Sequence, residues 1–95
     1  MDRNVRFEGK VAIVTGSAGG IGEAYARALA AEGASVVVAD IDEARAAEVA
    51  TSIEAAGGTA LGVGVDVSDP ASTQAMAART VEAFGGIDHL VNNAA

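Results

Sequence analysis

Four glycines fall within seven residues in the run Thr15-Gly16-Ser17-Ala18-Gly19-Gly20-Ile21-Gly22. Glycine lets a backbone turn sharply and lets a ligand approach without meeting a Cβ atom. The helical stretch beginning at Ile21 and Gly22 offers unpaired N–H groups and the positive end of its dipole. Together these features suit an anion, and a pyrophosphate fits the description. A bare strand-to-helix turn competes with that reading, and the density of glycines makes it the weaker one. A carboxylate, Asp40, stands 18 positions after Gly22 at the end of a β-branched run. At the end of a neighbouring strand it can accept hydrogen bonds from ribose hydroxyls. Taken alone, it is equally a turn or capping residue before Asp42. Asp66-Val67 and Asn92-Asn93-Ala94 close two further β-branched runs.

The elements that must position these residues follow from two alternating periodicities. β-branched runs bounded by Gly or Asp occupy Val11–Thr15, Ser35–Asp40, 60–66 and His89–Asn92. Ala-rich stretches with helical spacing lie between them. The first runs from Ile21 to about Glu32 and is closed by Gly33, a favoured residue just past a helix end. The second covers 42–56, with Ala46, Val49, Ala50 and Ile53 on one stripe and Gly57-Gly58 after it. The third opens at Ser68-Asp69-Pro70, a capping residue followed by proline at the first helical position. It places Thr73, Met76, Ala77, Val81 and Phe84 on one face and stops at Gly85-Gly86.

The order β-α-β-α-β-α-β predicts an α/β fold, a doubly wound parallel sheet with right-handed crossovers. Apolar runs without strict alternation, such as Val36-Val37-Val38-Ala39, suit strands covered on both faces. No repeat, linker or low-complexity tract divides the chain, so residues 1–95 read as part of one domain. A further helix is expected after the fourth strand, and the chain reads as the N-terminal part of a larger unit. On the first helix, Tyr25 shares helical spacing with Ile21 and Leu29 and is expected in the core. Glu23, Arg27 and Glu32 are expected on its solvated face.

Composition excludes several function classes. Six Lys and Arg against thirteen Asp and Glu give a formal charge of −7. The basic residues (Arg3, Arg6, Lys10, Arg27, Arg45, Arg79) are scattered, which argues against nucleic acid or an anionic membrane as partner. There is no cysteine, hence no disulfide, zinc-thiolate site or thiol nucleophile, and the single His89 builds no metal centre by itself. His89 is expected at a surface or strand end. Apolar runs of four residues fall far short of the about 20 needed to span a bilayer. The charged amino terminus does not resemble a signal peptide. A soluble, cytoplasmic protein is expected.

The glycine spacing Thr-Gly-x-x-x-Gly-x-Gly differs from both G-x-G-x-x-G and the Walker A loop. It resembles the cofactor turn of the classical short-chain dehydrogenases/reductases, whose extended members show another spacing. The lead-in Phe7-Glu8-Gly9-Lys10-Val11-Ala12-Ile13-Val14 looks like that family's opening, and Leu90-Val91-Asn92-Asn93-Ala94 looks like its Asn-Asn-Ala-Gly segment. Ala95 departs from the pattern, standing where the family carries glycine. The likeness extends over 7–95. It implies a Rossmann-type sheet of strand order 3-2-1-4 that binds a nicotinamide dinucleotide. Cofactor contacts are then expected from Gly16, Ser17, Ala18, Gly20, Ile21 and Gly22 in the turn, and from Asp40 at the ribose. The resemblance further assigns the adenine to the Asp66 carboxylate and the Val67 amide. Asn93 and Ala94 follow as cofactor contacts, with Asn92 as a sheet-stabilising amide.

Charge selects between the two forms of that cofactor. Like charges about 4 Å apart repel by roughly 4 kcal/mol at an effective dielectric of 20. A 2′-phosphate beside Asp40 meets that repulsion and finds no basic residue at positions 16–22. After Asp40 the first base is Arg45. NAD is therefore expected to bind at least about tenfold more tightly than NADP.

The family moves a hydride between nicotinamide and an alcohol or carbonyl of a small-molecule substrate. It uses a serine, a tyrosine paired with lysine as Tyr-x-x-x-Lys, and an asparagine. None of those positions lies within the 95 residues, so no catalytic residue is assigned and the chain alone is expected not to catalyse. The complete protein is expected to form a homo-oligomer, a dimer or tetramer. Two other readings are a non-catalytic nucleotide-binding module and an S-adenosylmethionine-dependent methyltransferase fragment.

Overall fold

The structure is a computed structural model and describes residues 7–93. Seven elements alternate in chain order: β1 Val11–Thr15, α1 Gly20–Ala31, β2 Ser35–Asp40, α2 Glu43–Ala55, β3 Thr59–Gly64, α3 Pro70–Phe84 and β4 His89–Asn92. The four strands form one parallel sheet in the order β3-β2-β1-β4. The doubly wound, Rossmann-type arrangement expected from the sequence is therefore present.

Side chains of successive strand residues alternate between two layers. Ala12 and Val14 of β1 join Val36 and Val38 of β2 beneath α1 and α2, against Ala26, Leu29, Val49 and Ile53. Ile13, Val37 and Ala39 face the opposite way and meet Val63, Val65 and Met76 on the α3 side. Alanine and glycine let the layers approach. A Cβ on Gly62 would stand 2.8 Å from backbone atoms of Ala46, so this strand glycine is what lets α2 lie directly on β3.

The stripe expected on α2 is the one buried, and Asp69 with Pro70 opens α3 as its sequence suggests. Three expectations need correction. Tyr25 is 48% exposed, because the buried stripe of α1 is Gly22, Ala26, Leu29 and Ala30. Where the N-terminal half of that helix crosses the sheet the buried positions are Gly22 and Ala26, and Tyr25 lies on the flank. On α3 Met76 is buried and Phe84 packs partly buried against the same cluster, as expected, but Thr80 takes the inward place and Val81 is exposed. Burial of Thr80 is tolerated because its hydroxyl donates to the Met76 carbonyl at 2.8 Å. Glu32, expected in solvent, is half-buried, and its Oε1 is enclosed without a hydrogen-bond partner among the described residues.

The third strand also ends earlier than expected. The ladder closes with the Val65 amide donating to the Asp40 carbonyl at 2.9 Å, and Asp66 begins a turn instead of ending the strand. His89 is exposed at the start of β4, its ring 5.9 Å from that of Phe7 in an edge-on contact.

Candidate functional site

Because the strands are parallel, the turns that leave β1, β2 and β3 and the residue that follows β4 share one edge of the sheet. The glycine turn leaves β1 with Gly16 and Gly20 in the left-handed region, at φ of +66° and +59°. Glycine reaches that region without steric cost. Between them Ser17 points inward and is fully buried. Its hydroxyl donates to the Val14 carbonyl at 2.6 Å and accepts from the Ala39 amide at 3.1 Å. The Ser17 amide in turn donates to the Ala39 carbonyl at 3.2 Å. The Ser17 hydroxyl is therefore taken up within the protein. It fastens the turn to β2.

Ala18 is also buried, and its amide donates to Asp40 Oδ2 at 3.0 Å. Asp40 Oδ1 accepts from the Asp42 amide at 3.0 Å. The carboxylate thus ties the glycine turn to the turn after β2. Each of its oxygens retains a second lone pair.

Helix α1 then starts at Gly19, in extended backbone, with no side chain capping its N-terminus. The other two helices are capped, α2 by Asp42 and α3 by Asp69. The first N–H groups of a helix have no partner within it. In α1 they open on the edge where Asp40 lies. A Cβ on Gly19 or Gly20 would meet nothing within 4 Å, so both face open space. Ile21 beside them is 81% exposed.

Gly22 is the opposite case. A Cβ there would stand 2.3 Å from the Gly16 carbonyl oxygen and 2.6 Å from Asn93 Nδ2. Asn93 Nδ2 donates to that same Gly16 oxygen at 3.2 Å. Its backbone amide donates to the Thr15 hydroxyl at 3.0 Å, and Thr15 Oγ1 in turn reaches Asn92 Oδ1 at 3.2 Å. The end of β4 is therefore fastened to the glycine turn, with Asn92 in the sheet-stabilising place expected of it. Ala94 lies outside the described residues.

Asp66 Oδ1 accepts from the Ser68 hydroxyl at 2.6 Å and the Ser68 amide at 3.0 Å. The hydroxyl first, and then the amide, hold this exposed carboxyl below the ordinary value of 3.8. Gly16, Asp40, Asp66 and Val67 come together with Ile41, Val65 and Ser68 around a cleft of about 310 Å³. Ile41 was missed in the sequence. The available signal was an apolar residue directly after Asp40 in a polar turn, and it is largely exposed. A second, apolar groove of about 230 Å³ shares Val67 and runs past Ile13, Thr73, Met76 and Leu90. Among the described residues no group of acidic and histidine side chains is arranged to hold a metal ion. No helix among them is long and apolar enough to cross a membrane.

The model of the short chain dehydrogenase family matches residues 10–95. The chain belongs to the short-chain dehydrogenases. It is 68% identical over 89 residues to an uncharacterized oxidoreductase of Mycobacterium tuberculosis, covering 94% of this chain and 36% of that protein. It is 53% identical over 91 residues to galactitol 2-dehydrogenase of Agrobacterium fabrum, covering 96% and 34%. The crystal structure of hydroxysteroid dehydrogenase from Escherichia coli superposes with a TM-score of 0.93 at 40% identity. That match covers 97% of this chain and 39% of the other. The chain thus spans little more than a third of the length of the short-chain dehydrogenases it matches.

Proposed function

We propose that this short-chain dehydrogenase chain is the dinucleotide-binding part of an NAD-dependent oxidoreductase acting on an alcohol or carbonyl. One observation carries the reading. Among the three helices, only α1 lacks a side-chain cap, and its bare N-terminus opens where Asp40 ends β2. A pyrophosphate supplies the missing acceptor for those N–H groups and meets the positive end of the helix dipole. The residues present fit the cofactor. Gly19 and Gly20 leave space for its phosphates, and Asp40 keeps a free lone pair on each oxygen for a ribose hydroxyl. Ile41 and Val67 offer apolar flanks for an adenine, with the Asp66 carboxylate beside them. Gly16, Gly20, Ile21 and Gly22 shape the phosphate end, and Asn93 marks the way toward the nicotinamide, the contact expected from Ala94 lying outside the described residues.

The bound nicotinamide would supply the hydride chemistry. This chain's part is to hold and orient it. Tyr25 is the only tyrosine, and it stands on the flank of α1. The 95-residue chain is accordingly expected to bind cofactor without turning substrate over, catalysis belonging to an oligomeric protein of natural length. The names galactitol 2-dehydrogenase and hydroxysteroid dehydrogenase among its relatives support an alcohol as substrate.

Calorimetric titration tests the proposal. NAD should bind at least about tenfold more tightly than NADP, a difference of about 1.4 kcal/mol. Equal affinities would remove the preference assigned to Asp40. Heat from S-adenosylmethionine alone would turn the reading to a methyltransferase, and no heat from any of the three would remove it.

A further inference from the structure

Arg45 is the first basic residue after Asp40, and it sits in the first turn of α2. Its backbone amide donates to Asp42 Oδ1 at 3.0 Å, and the Asp42 amide donates to Asp40 Oδ1 at 3.0 Å. Two hydrogen bonds and one aspartate therefore separate Arg45 from the carboxylate assigned to the ribose. Its guanidinium is turned to the first helix, with Nη2 3.4 Å from Glu23 Oε1 and Nη1 3.4 Å from Glu48 Oε1. Glu23 lies in the first turn of α1, its amide bonded to the Gly19 carbonyl at 3.1 Å. A closed ring results: Ala18, Asp40, Asp42, Arg45, Glu23 and Gly19. Asp40 ties the glycine turn to the turn after β2, and the Arg45–Glu23 pair ties the first turns of the helices that follow them, α1 and α2.

We infer that Glu23 is a positioning residue for cofactor choice, holding back an arginine that would otherwise neutralise a 2′-phosphate. The inference rests on the proposed NAD-binding role of this site. Arginine is the side chain best suited to a phosphate, through its planar fork of donors. Here that fork is engaged by carboxylates, so among the described residues Arg45 is not turned toward a 2′-phosphate beside Asp40. Glu23 is the firmer of the two holders, because its side chain is only 20% exposed and is itself fixed by Arg27 at 2.8 Å. Arg45 is 47% exposed, so the latch is a weak surface pair, and loss of Glu23 leaves the guanidinium to the more exposed Glu48. Discrimination against NADP thus has two parts, repulsion by Asp40 and retention of Arg45.

The test is carried out on the protein at its natural length, by titrating NAD and NADP separately and taking the ratio of affinities. Glu23→Gln should raise NADP affinity about two- to fivefold while leaving NAD affinity in place. Arg45→Ala alone should barely move NADP binding, and the double variant E23Q/R45A should lose the gain. Should E23Q lose its fold, Glu23→Asp keeps the charge and shortens the reach to Arg45, and the same direction is expected. An unchanged ratio in the folded Glu23 variant, or a gain that survives removal of Arg45, overturns the inference. Asp40→Asn separates the two levels of the argument. If it raises NADP affinity while the Glu23 variants do nothing, cofactor binding stands and only the role of Glu23 falls. If the wild-type protein binds neither dinucleotide, both fall.

Discussion

Asp40 and Ser17 fasten the same turn from opposite sides, yet only one remains open to a ligand. Both side chains bond across the 22 positions that separate β1's turn from the end of β2. Ser17 is enclosed between the Val14 carbonyl and the Ala39 amide, whereas Asp40 reaches the surface of the cleft. The acid at the second strand's end was readable from its spacing. The inward turn of Ser17 was not, because it depends on where the Ala39 amide arrives. Asp66 gives a test at this scale. Its folded-state pKa lies below the ordinary value, so its stabilising contribution is present above that value and is lost as pH falls through the lowered one. Ser68→Ala should move the Asp66 pKa upward, toward 3.8. A carboxyl carbon-shift titration reads this directly, and an unmoved midpoint would remove Ser68 as the cause.

Helix α1 owes its place to what its first turn lacks. With glycine at positions 19, 20 and 22, it has no side chain to cap it and none to keep the Gly16 carbonyl away. Gly22→Ala would drive a methyl group into that carbonyl and into Asn93 Nδ2. Because the obstacle is backbone, the turn or the helix must shift, at a cost of roughly 1–3 kcal/mol. A lowered urea midpoint together with weakened NAD binding is the expected outcome. Unchanged stability would mean that α1 is free to slide. The existence and order of such elements were legible from glycine spacing and apolar periodicity. Their rotation was less so. Tyr25 and Val81 both satisfy helical spacing, and both lie outside the buried stripe because the sheet admits Gly22, Ala26 and Thr80 there.

At the scale of the molecule, the two faces of the sheet are unequally covered. α1 and α2 pack over one face, while α3 buries only Met76 and Thr80 against the other. Leu90 of β4, in register with Ile13, is 60% exposed along the apolar groove, and among the described residues β4 pairs only with β1. An apolar face beside an unpaired strand edge favours self-association. The 95-residue chain should therefore sediment as associated species, and Leu90→Lys should shift it toward monomer. A wild-type monomer with one cooperative thermal transition would contradict this.

Local information in the chain determined the alternation of strands and helices, the anion-suited turn, and the acid that closes the second strand. These depend on neighbours within a few residues, whose backbone preferences and apolar periods act before any packing. Tertiary structure decided which side of each helix is buried, that Ser17 turns inward and that Ile41 joins the cleft. It also decided that Arg45 reaches Glu23 and that Asn93 anchors to Gly16 across 77 positions. Those outcomes need two distant segments at one spacing, which only the closed sheet provides.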